Sequence, residues 1–478
     1  MDRCLLASYT RLCDGGTTQV FSNPMAKLTR RQFIKSSLKM TVGAVIGRLL
    51  WPHLAFLHSG GFVTALWCGA LKSNSVRFKA RIDHASTTVR MHLSTHPDLT
   101  DAFISGYQTA NSTNHYIIDL TAVSLQPNTQ YYYGVESNGT LDMSHIGRFK
   151  TPGNGPYSFS FAFASCAATD SNHEVFEAID NAQPLFFMHL GDMHYRDFAE
   201  NNTNPYRYGY SQIFASPRQA QLYRSRAIVY VWDDHDYGPN DSDATSPSRE
   251  AARIVYRQYV PSYPLPAGSG DAAIYQAFTI GRVRFILTDL RSERSPKLDT
   301  DNAGKSMMGA EQKAWFKAEL LAAKAAGYPL IVWASSGPWI DAKTAGADTW
   351  GGYSTERKEL ANFMRNNDIP QLLIVSGDAH MIAIDDGTNS DYSTGGGLTI
   401  PVFHGSALDR SGSVKGGPYS HGTFPGRGHF GLVTITDDGG PNLEVRLSGR
   451  QSVGTSSQEV VSYTFKVQTK AFLPMILG

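Results

Sequence analysis

Short apolar segments that end directly in a polar residue recur along the second half of this sequence. The segments at 158–164, 185–190, 227–232 and 372–375 run into Cys166, Asp192, Asp234 and Asp378. Between several of them, as at 309–324 and 356–366, apolar residues have helical spacing. Strands that alternate with helices predict an α/β domain. Ligands bind at the carboxyl ends of strands in such domains, so the sequence predicts a site where these segments end.

One polar ending alone is weak support for a site. An Asp after a strand is more often a helix cap, and an isolated Cys is more often a small core residue. Two further segments, at 283–287 and 329–333, also end in polar residues. So many endings are hard to explain by capping, and a functional site is the better interpretation.

Six side chains near these endings are of types that bind metals: Cys166, Asp192, Tyr195, Asp234, Asp378 and His380. Carboxylates are hard oxygen ligands, whereas thiolate and imidazole suit transition metals. Asp192 and Tyr195 are three residues apart and Asp378 and His380 two apart, so each pair can face one site. One carboxylate can bridge two cations about 4 Å apart, a spacing that suits hydrolysis of phosphate esters.

The chain before residue 153 has a different pattern. Apolar and polar residues alternate in short runs, for example at 75–82, which predicts a small all-β sandwich. Residues 125–131 match the L-x-P-x-T-x-Y pattern of fibronectin type III domains, in which the Tyr hydroxyl binds the backbone at a strand corner. We therefore expect a fibronectin type III-like domain at 61–153, a catalytic domain at 154–468 and a tail at 469–478.

The first 60 residues resemble an export signal region. The sequence around Arg30 and Arg31 is similar to the twin-arginine motif, and a weakly apolar run follows at 40–57. Met25 lies just upstream and is a second candidate start. The region predicts transport by the twin-arginine export machinery, a periplasmic or secreted location, and no stable membrane span after signal removal. The competing interpretations are a single membrane anchor and a chance pair of arginines.

Length and composition narrow the possible functions. Lys and Arg number 43 and Asp and Glu 42, so no basic excess indicates a nucleic-acid partner. Four cysteines are too few for a disulfide framework in 478 residues, and this length predicts two or more domains.

The ordered motifs together resemble a known family. They are Ser165-Cys166, Gly-Asp-Met-His-Tyr at 191–195, Trp-Asp-Asp-His-Asp at 232–236, Asp-Leu-Arg at 289–291 and Ser-Gly-Asp-Ala-His at 376–380. This set is similar to that of PhoD-type alkaline phosphatases and phosphodiesterases, within the calcineurin-like metallophosphatase superfamily. The resemblance implies a metallophosphatase-type β-sandwich flanked by helices. It also implies that a metal-bound hydroxide hydrolyses small-molecule phosphate mono- or diesters.

The resemblance further implies a role for each residue. Cys166, Asp192, Tyr195 and His380 would hold a ferric ion, with Asp192 as the bridge to a second ion. Asp234 and Asp378 would hold that second ion, so Fe3+ and Ca2+ are expected ahead of Zn2+, Mn2+ or Mg2+. His235 would act beside the leaving group, and Arg291 would contact the phosphate.

One departure from the superfamily bears on the second ion. No His stands at 332–336, where relatives usually carry a ligand, so this site is rich in oxygen and favours calcium or magnesium over zinc. Spare oxygen donors lie nearby, and the sequence does not decide among them: Asp233, Asp236, Asn240 and Asp241. Loops at 201–218 and 341–353 are expected to set specificity.

Two other functions compete with this interpretation. A non-catalytic surface protein could bind through its β-domain, although the six candidate ligands are all present. A zinc hydrolase could act on non-phosphate esters, although the oxygen-rich second site fits zinc poorly. His173, His189 and His404 are interpreted as structural or surface residues, and His194 as pointing away from the site.

Overall fold

The computed structural model describes residues 19–21, 61–369 and 371–468. The export motif with Arg30 and Arg31 and the tail at 469–478 lie outside the described residues. Within the described residues, no helix combines the length and apolar character needed to cross a membrane.

The described residues form three β-sheets with helices around them. The strands are β1 Gln19–Phe21, β2 Val63–Lys72, β3 Ser75–Ile82, β4 Ser86–Ser94, β5 Phe103–Ile104, β6 Gln108–Ala110, β7 Ile117–Val123, β8 Gln130–Ser137, β9 Thr140–Leu141, β10 Gly147–Lys150, β11 Phe159–Ala164, β12 Phe186–His189, β13 Ala227–Tyr230, β14 Gln276–Ile280, β15 Val283–Leu287, β16 Leu330–Ser335, β17 Gln371–Ser376, β18 Met381–Asp385, β19 Val402–Gly405, β20 Thr423–Pro425, β21 His429–Thr436, β22 Asn442–Val453 and β23 Ser456–Gln468. The α-helices are α1 Val175–Asn181, α2 Thr203–Ala215, α3 Pro217–Ser225, α4 Asp234–Tyr237, α5 Arg249–Tyr259, α6 Ala310–Ala325 and α7 Ser354–Asn366. Short 3₁₀ turns lie at Met143–His145 and Trp350–Tyr353.

Two of the sheets face each other across an aromatic core. One has the strand order β1-β7-β3-β2-β13-β12-β11-β21-β22-β23, and the other β14-β15-β16-β17-β19-β18-β20. Phe161 and Phe186 of the first sheet stack with ring centroids 5.2 Å apart. Both rings contact Phe285 of the second sheet, at 5.3 and 5.5 Å. Burial of these large apolar side chains stabilises the sandwich.

Helices cover the outer faces of both sheets. Phe316 of α6 packs on Trp333 of β16, with centroids 4.7 Å apart. Tyr223 of α3 stacks on Phe187 of β12 at 6.4 Å. This arrangement confirms the predicted β-sandwich flanked by helices.

A smaller third sheet, β10-β8-β4-β5, belongs to the N-terminal part of the chain. Its Tyr133 packs on Phe78 of β3 at 4.7 Å, so the third sheet lies against β3. At the corner before β8, the Gln126 backbone N–H donates to the Tyr131 hydroxyl at 2.9 Å. The L-x-P-x-T-x-Y pattern therefore correctly predicted this hydrogen bond.

The N-terminal strands are continuous with the large sheet, which the sequence does not predict. β2 pairs with β13 at a single point, where Gly69 faces Ile228. A Cβ added to Gly69 would lie 2.6 Å from the Ile228 carbonyl oxygen, closer than real Cβ atoms come. Glycine therefore permits this approach between the two strands.

Replacement of His189 by Leu should remove a source of acid sensitivity. His189 on β12 is fully buried, and neither ring nitrogen has a hydrogen-bond partner among the described residues. Burial lowers its pKa from 6.5 to about 3, so the folded protein holds a neutral ring. The unfolded chain takes up a proton below its ordinary pKa. The contribution of His189 to the unfolding free energy therefore has its full value above pH 6.5, and it decreases as the pH falls towards 3.

Below the pKa that the histidine has in the unfolded chain, the unfolding free energy falls by ~1.4 kcal/mol for each pH unit. Between about pH 7 and about pH 5, the wild type should lose ~2 kcal/mol more unfolding free energy than His189→Leu. Denaturant unfolding at both pH values measures this difference. His96→Leu, at an exposed position, should follow the wild type. Equal losses in the wild type and His189→Leu would contradict the prediction.

Candidate metal centre

The polar strand endings adopt an unusual backbone conformation. Positive φ angles occur at Cys166 (65°), Asp192 (56°), Asp378 (58°) and His380 (50°). Such angles cost roughly 1–3 kcal/mol at non-glycine residues and persist where the surroundings hold them. Here the Cys166 N–H donates to the Gly191 carbonyl at 3.2 Å, and the Asp378 N–H donates to Ser165 Oγ at 3.1 Å. The same conformation occurs outside the site, for example at Ala70 and Leu99, so it is not specific to the predicted ligands.

Four of the six predicted ligands form one cluster. Asp192 Oδ2 lies 3.5 Å from Cys166 Sγ and accepts from the Tyr195 hydroxyl at 2.9 Å. That hydroxyl lies 3.1 Å from His380 Nε2. His380 Nδ1 lies 2.9 Å from the Ser411 carbonyl oxygen, to which it can only donate. Nε2 therefore presents its lone pair to the cluster, as a metal ligand does.

Asp192 also belongs to a second cluster. Ligand atoms of Asp192, Asp234 and His235 lie within 4.8 Å of one another, as do those of Cys166, Asp192 and His380. Asp192 is thus the residue common to both groups. A carboxylate in this position can bridge two cations.

The electrostatics of the site favour a bound cation. Asp192 is buried, its Oδ1 has no hydrogen-bond partner among the described residues, and burial and then Asp234 raise its pKa to about 8. Burial, followed by Asp192 and Asp378, raises the pKa of the Cys166 thiol well above its usual 9.0. A positive charge in the site would stabilise the ionised forms of Asp192 and Cys166 and so lower both pKa values. The donor set of sulfur, phenol, imidazole and carboxylate fits a metal ion.

Asp378 borders the site and carries a counter-ion that the sequence analysis missed. Its Oδ1 accepts from Lys415 Nζ at 2.5 Å, while its buried Oδ2 has no partner among the described residues. Lys415 lies in a glycine-rich loop between β19 and β20, where no pattern in the sequence signals a site.

His235 lies beside the first cluster as a cation. Its ring centroid is 4.1 Å from that of Tyr195, and its Nδ1 lies 2.5 Å from Asp197 Oδ1. Burial alone would lower the pKa of His235, but Asp192 and Asp234 outweigh it and raise the pKa to about 9. Without bound cations the ring is therefore protonated at neutral pH, and a protonated imidazole can give a proton to a nearby oxygen.

Arg291 lies next to the second cluster and forms ion pairs with carboxylates. Its side chain is 1% exposed and pairs with Asp233, and it donates to both oxygens of Asp348, at 3.1 and 2.9 Å. Its Nη2 is also 3.7 Å from Asp234 Oδ2. Burial would raise the pKa of Asp234, but Arg291 outweighs it and lowers the pKa. A direct phosphate contact by Arg291 stays a prediction, and it would require these ion pairs to open.

The structure separates the roles of the spare oxygen donors. Asp236 accepts from the backbone N–H groups of Asp192 and Met193, at 2.5 and 2.7 Å, and so fixes the turn that carries Asp192. Asp233 is paired with Arg291. Asp241 groups with Asp234 and Asp348, although Lys297 pairs with its carboxylate.

The histidines interpreted as structural are buried or serve local contacts. His194 packs on Phe198 at 5.3 Å between centroids, and burial lowers its pKa to about 4. His404 is fully buried, and His173 Nδ1 accepts from the Val175 N–H at 3.1 Å. None of these three belongs to the groups of possible ligands found among the described residues.

Comparison with known proteins agrees with this fold. The family model for PhoD-like phosphatase matches residues 161–417, and that for the N-terminal domain of PhoD-like phosphatases matches 58–153. The chain is 26% identical over 329 residues to alkaline phosphatase D of Bacillus subtilis (strain 168). That match covers 58% of this chain and about half, 55%, of the relative.

Two solved structures share the fold. The structure of PhoD has a TM-score of 0.72 at 19% identity and covers 85% of this chain and 91% of its own. A purple acid phosphatase from yellow lupin (Lupinus luteus) seeds has a TM-score of 0.58 at 14% identity, covering 84% and 74%.

These structures define the class of this protein by its fold, which is that of the metallophosphatases. The chain belongs to the PhoD-like phosphatase family, which confirms the resemblance seen in the sequence.

Proposed function

We propose that the protein is an exported, metal-dependent phosphoesterase, an alkaline phosphatase or phosphodiesterase that hydrolyses small-molecule phosphate mono- or diesters. The observation that carries the proposal is the position of Asp192, whose carboxylate is shared by two groups of possible ligands. One shared carboxylate supports a site with two adjacent cations, which suits in-line hydrolysis of phosphate esters.

The proposed ligands of the first ion come from the first cluster, and those of the second ion are Asp192 and Asp234 together with Asp378, which is in none of the groups of possible ligands found among the described residues. Cys166, Asp192, Tyr195 and His380 would hold Fe3+, since charge-donating sulfur and phenol ligands suit a trivalent ion. Asp192, Asp234 and Asp378 would hold Ca2+, which takes oxygen ligands. Zn2+, Mn2+ and Mg2+ are the less favoured candidates. When bound, the two cations supply Lewis-acid charge for phosphoryl transfer to water.

The protein's own side chains would do the remaining chemistry. His235 would give its proton to the leaving-group oxygen as the phosphorus–oxygen bond breaks, and Asp197 would orient its ring through the 2.5 Å contact at Nδ1. Arg291 would hold Asp233, Asp234 and Asp348 in place, and it stays a candidate for contact with the phosphate.

Release of nitrophenol from three esters in parallel tests this function. The protein should cleave p-nitrophenyl phosphate, bis-p-nitrophenyl phosphate or both, and leave p-nitrophenyl acetate unchanged. Cleavage of the acetate alone would favour the zinc hydrolase of non-phosphate esters. No cleavage by protein that carries both cations would favour the non-catalytic binding protein.

The proposed domain organisation is an export signal region at 1–60, a fibronectin III-like domain at 61–153, a catalytic domain at 154–468 and a tail at 469–478. The match of a separate N-terminal family model to 58–153 supports the second of these boundaries. The proposed location is periplasmic or secreted.

Export should depend on the arginine pair. Changing Arg30 and Arg31 together to Lys should leave the enzyme in the cytoplasm, because the twin-arginine machinery recognises this motif. Fractionation with a phosphatase assay measures the outcome, and Lys27→Arg is the matched control. Normal activity outside the inner membrane in the double variant would contradict this route.

A further inference from the structure

One loop segment touches the candidate metal centre at three places. In this segment, residues 410–418, the Arg410 guanidinium lies 3.9 Å above the Tyr195 ring. The Ser411 carbonyl accepts from His380, and Lys415 donates to Asp378. The segment therefore crosses both halves of the site.

Lys415 places a positive charge where the second cation is proposed to bind. Its Nζ is 2.5 Å from Asp378 Oδ1, and its charge also interacts with Asp234 and Asp348. Asp378 itself is 7% exposed. The ammonium thus acts as the counter-ion of this carboxylate.

A divalent cation and this ammonium compete for the same carboxylate, since Lys415 binds Asp378 Oδ1 and leaves only Oδ2 without a partner among the described residues. Calcium binds carboxylate oxygens at about 2.3–2.6 Å, so an ion held by Asp234 and Asp378 would meet the ammonium at close range. Two like charges in a buried site repel strongly because solvent screens them little. Repulsion between the two charges therefore favours movement of Lys415 away from Asp378 when the cation binds.

The Lys415 side chain borders solvent, since it is 40% exposed. Arg291, by contrast, is 1% exposed and held by carboxylates. Of these two cations, Lys415 is the one that can reach a ligand at the mouth of the site.

We propose that Lys415 is the internal counter-ion of the second cation site, and that the second cation displaces it towards the substrate phosphoryl group. The inference rests on the proposed function. A lysine suits this role because its ammonium is a mobile point charge that binds phosphate oxygens without a fixed geometry.

Lys415→Met tests both halves of the proposal. Without the ammonium, Asp378 has no competing partner, so the variant should bind Ca2+ more tightly, by roughly 10- to 100-fold. Equilibrium dialysis of the iron-loaded protein measures this affinity. With both cations bound, the variant should bind inorganic phosphate more weakly by a similar factor, measured as product inhibition of nitrophenyl phosphate hydrolysis.

Two further variants serve as controls. Lys415→Arg keeps the charge and should stay close to the wild type in both affinities. Lys466→Met removes a side chain that is 68% exposed and paired with Glu444, and it should leave both affinities unchanged. Thermal unfolding confirms that each variant is folded.

The outcomes separate this proposal from the proposed function. Unchanged or weaker Ca2+ binding by Lys415→Met overturns the proposal, as does tighter Ca2+ binding with unchanged phosphate affinity. A wild type that carries both cations and hydrolyses no phosphate ester overturns the proposed function instead.

Discussion

Asp192→Asn should abolish hydrolysis of phosphate esters and reduce the occupancy of both cations. The carboxylate of Asp192 lies in both ligand groups, and an amide lacks its charge and one of its acceptor oxygens. Cations in such sites supply several kcal/mol of transition-state stabilisation, so turnover should fall by roughly 10³-fold or more. Metal analysis and turnover of the same preparation measure the effect.

Two single-cluster variants and one surface variant give this experiment its controls. Cys166→Ser should disturb only the first cluster, and with it any colour from ferric iron bound by thiolate or phenolate. Asp234→Asn should empty only the second site and leave the colour. Asp170→Asn, at an exposed position, should match the wild type. Full retention of both cations and of activity in Asp192→Asn would contradict the bridging role.

His235→Ala should lower turnover by roughly 10²–10⁴-fold while the metal content stays normal. The protonated ring lies beside Tyr195, where it can give its proton to a leaving oxygen. Alkoxide leaving groups need that proton more than nitrophenolate does. The loss should therefore be larger for alkyl phosphates than for nitrophenyl phosphate.

A series of esters with leaving groups of different pKa measures this difference. His421→Ala, which removes a partly exposed ring that packs on Tyr463, should leave turnover unchanged. The same loss for every leaving group, or loss of a cation, would count against an acid role for His235.

The strand endings could be predicted from sequence because a short apolar segment followed by a polar residue is a local pattern. Cys166, Asp192 and Asp234 lie two, three and four residues after the ends of β11, β12 and β13, which are parallel neighbours in one sheet. Their carboxyl ends therefore meet at one edge. The corner at Tyr131 was likewise predictable, since its partner lies five residues away.

Partners brought together by tertiary contacts could not be predicted in this way. Asp348, Asp197 and Lys415 lie in loops, and the distances between them and their partners along the chain carry no periodic signal. The buried position of Arg291 depends on Asp348, 57 residues away. A sequence motif identifies such an arginine but does not show which carboxylates form ion pairs with it.

Metal content and phosphatase activity, followed in one sample through removal and return of the cations, test the central claim most directly. The purified protein should contain two different cations, lose hydrolysis of p-nitrophenyl phosphate when a chelator removes the second one, and regain it when Ca2+ is returned. A protein that hydrolyses phosphate esters at full rate after elemental analysis shows neither cation would contradict the proposed metal centre.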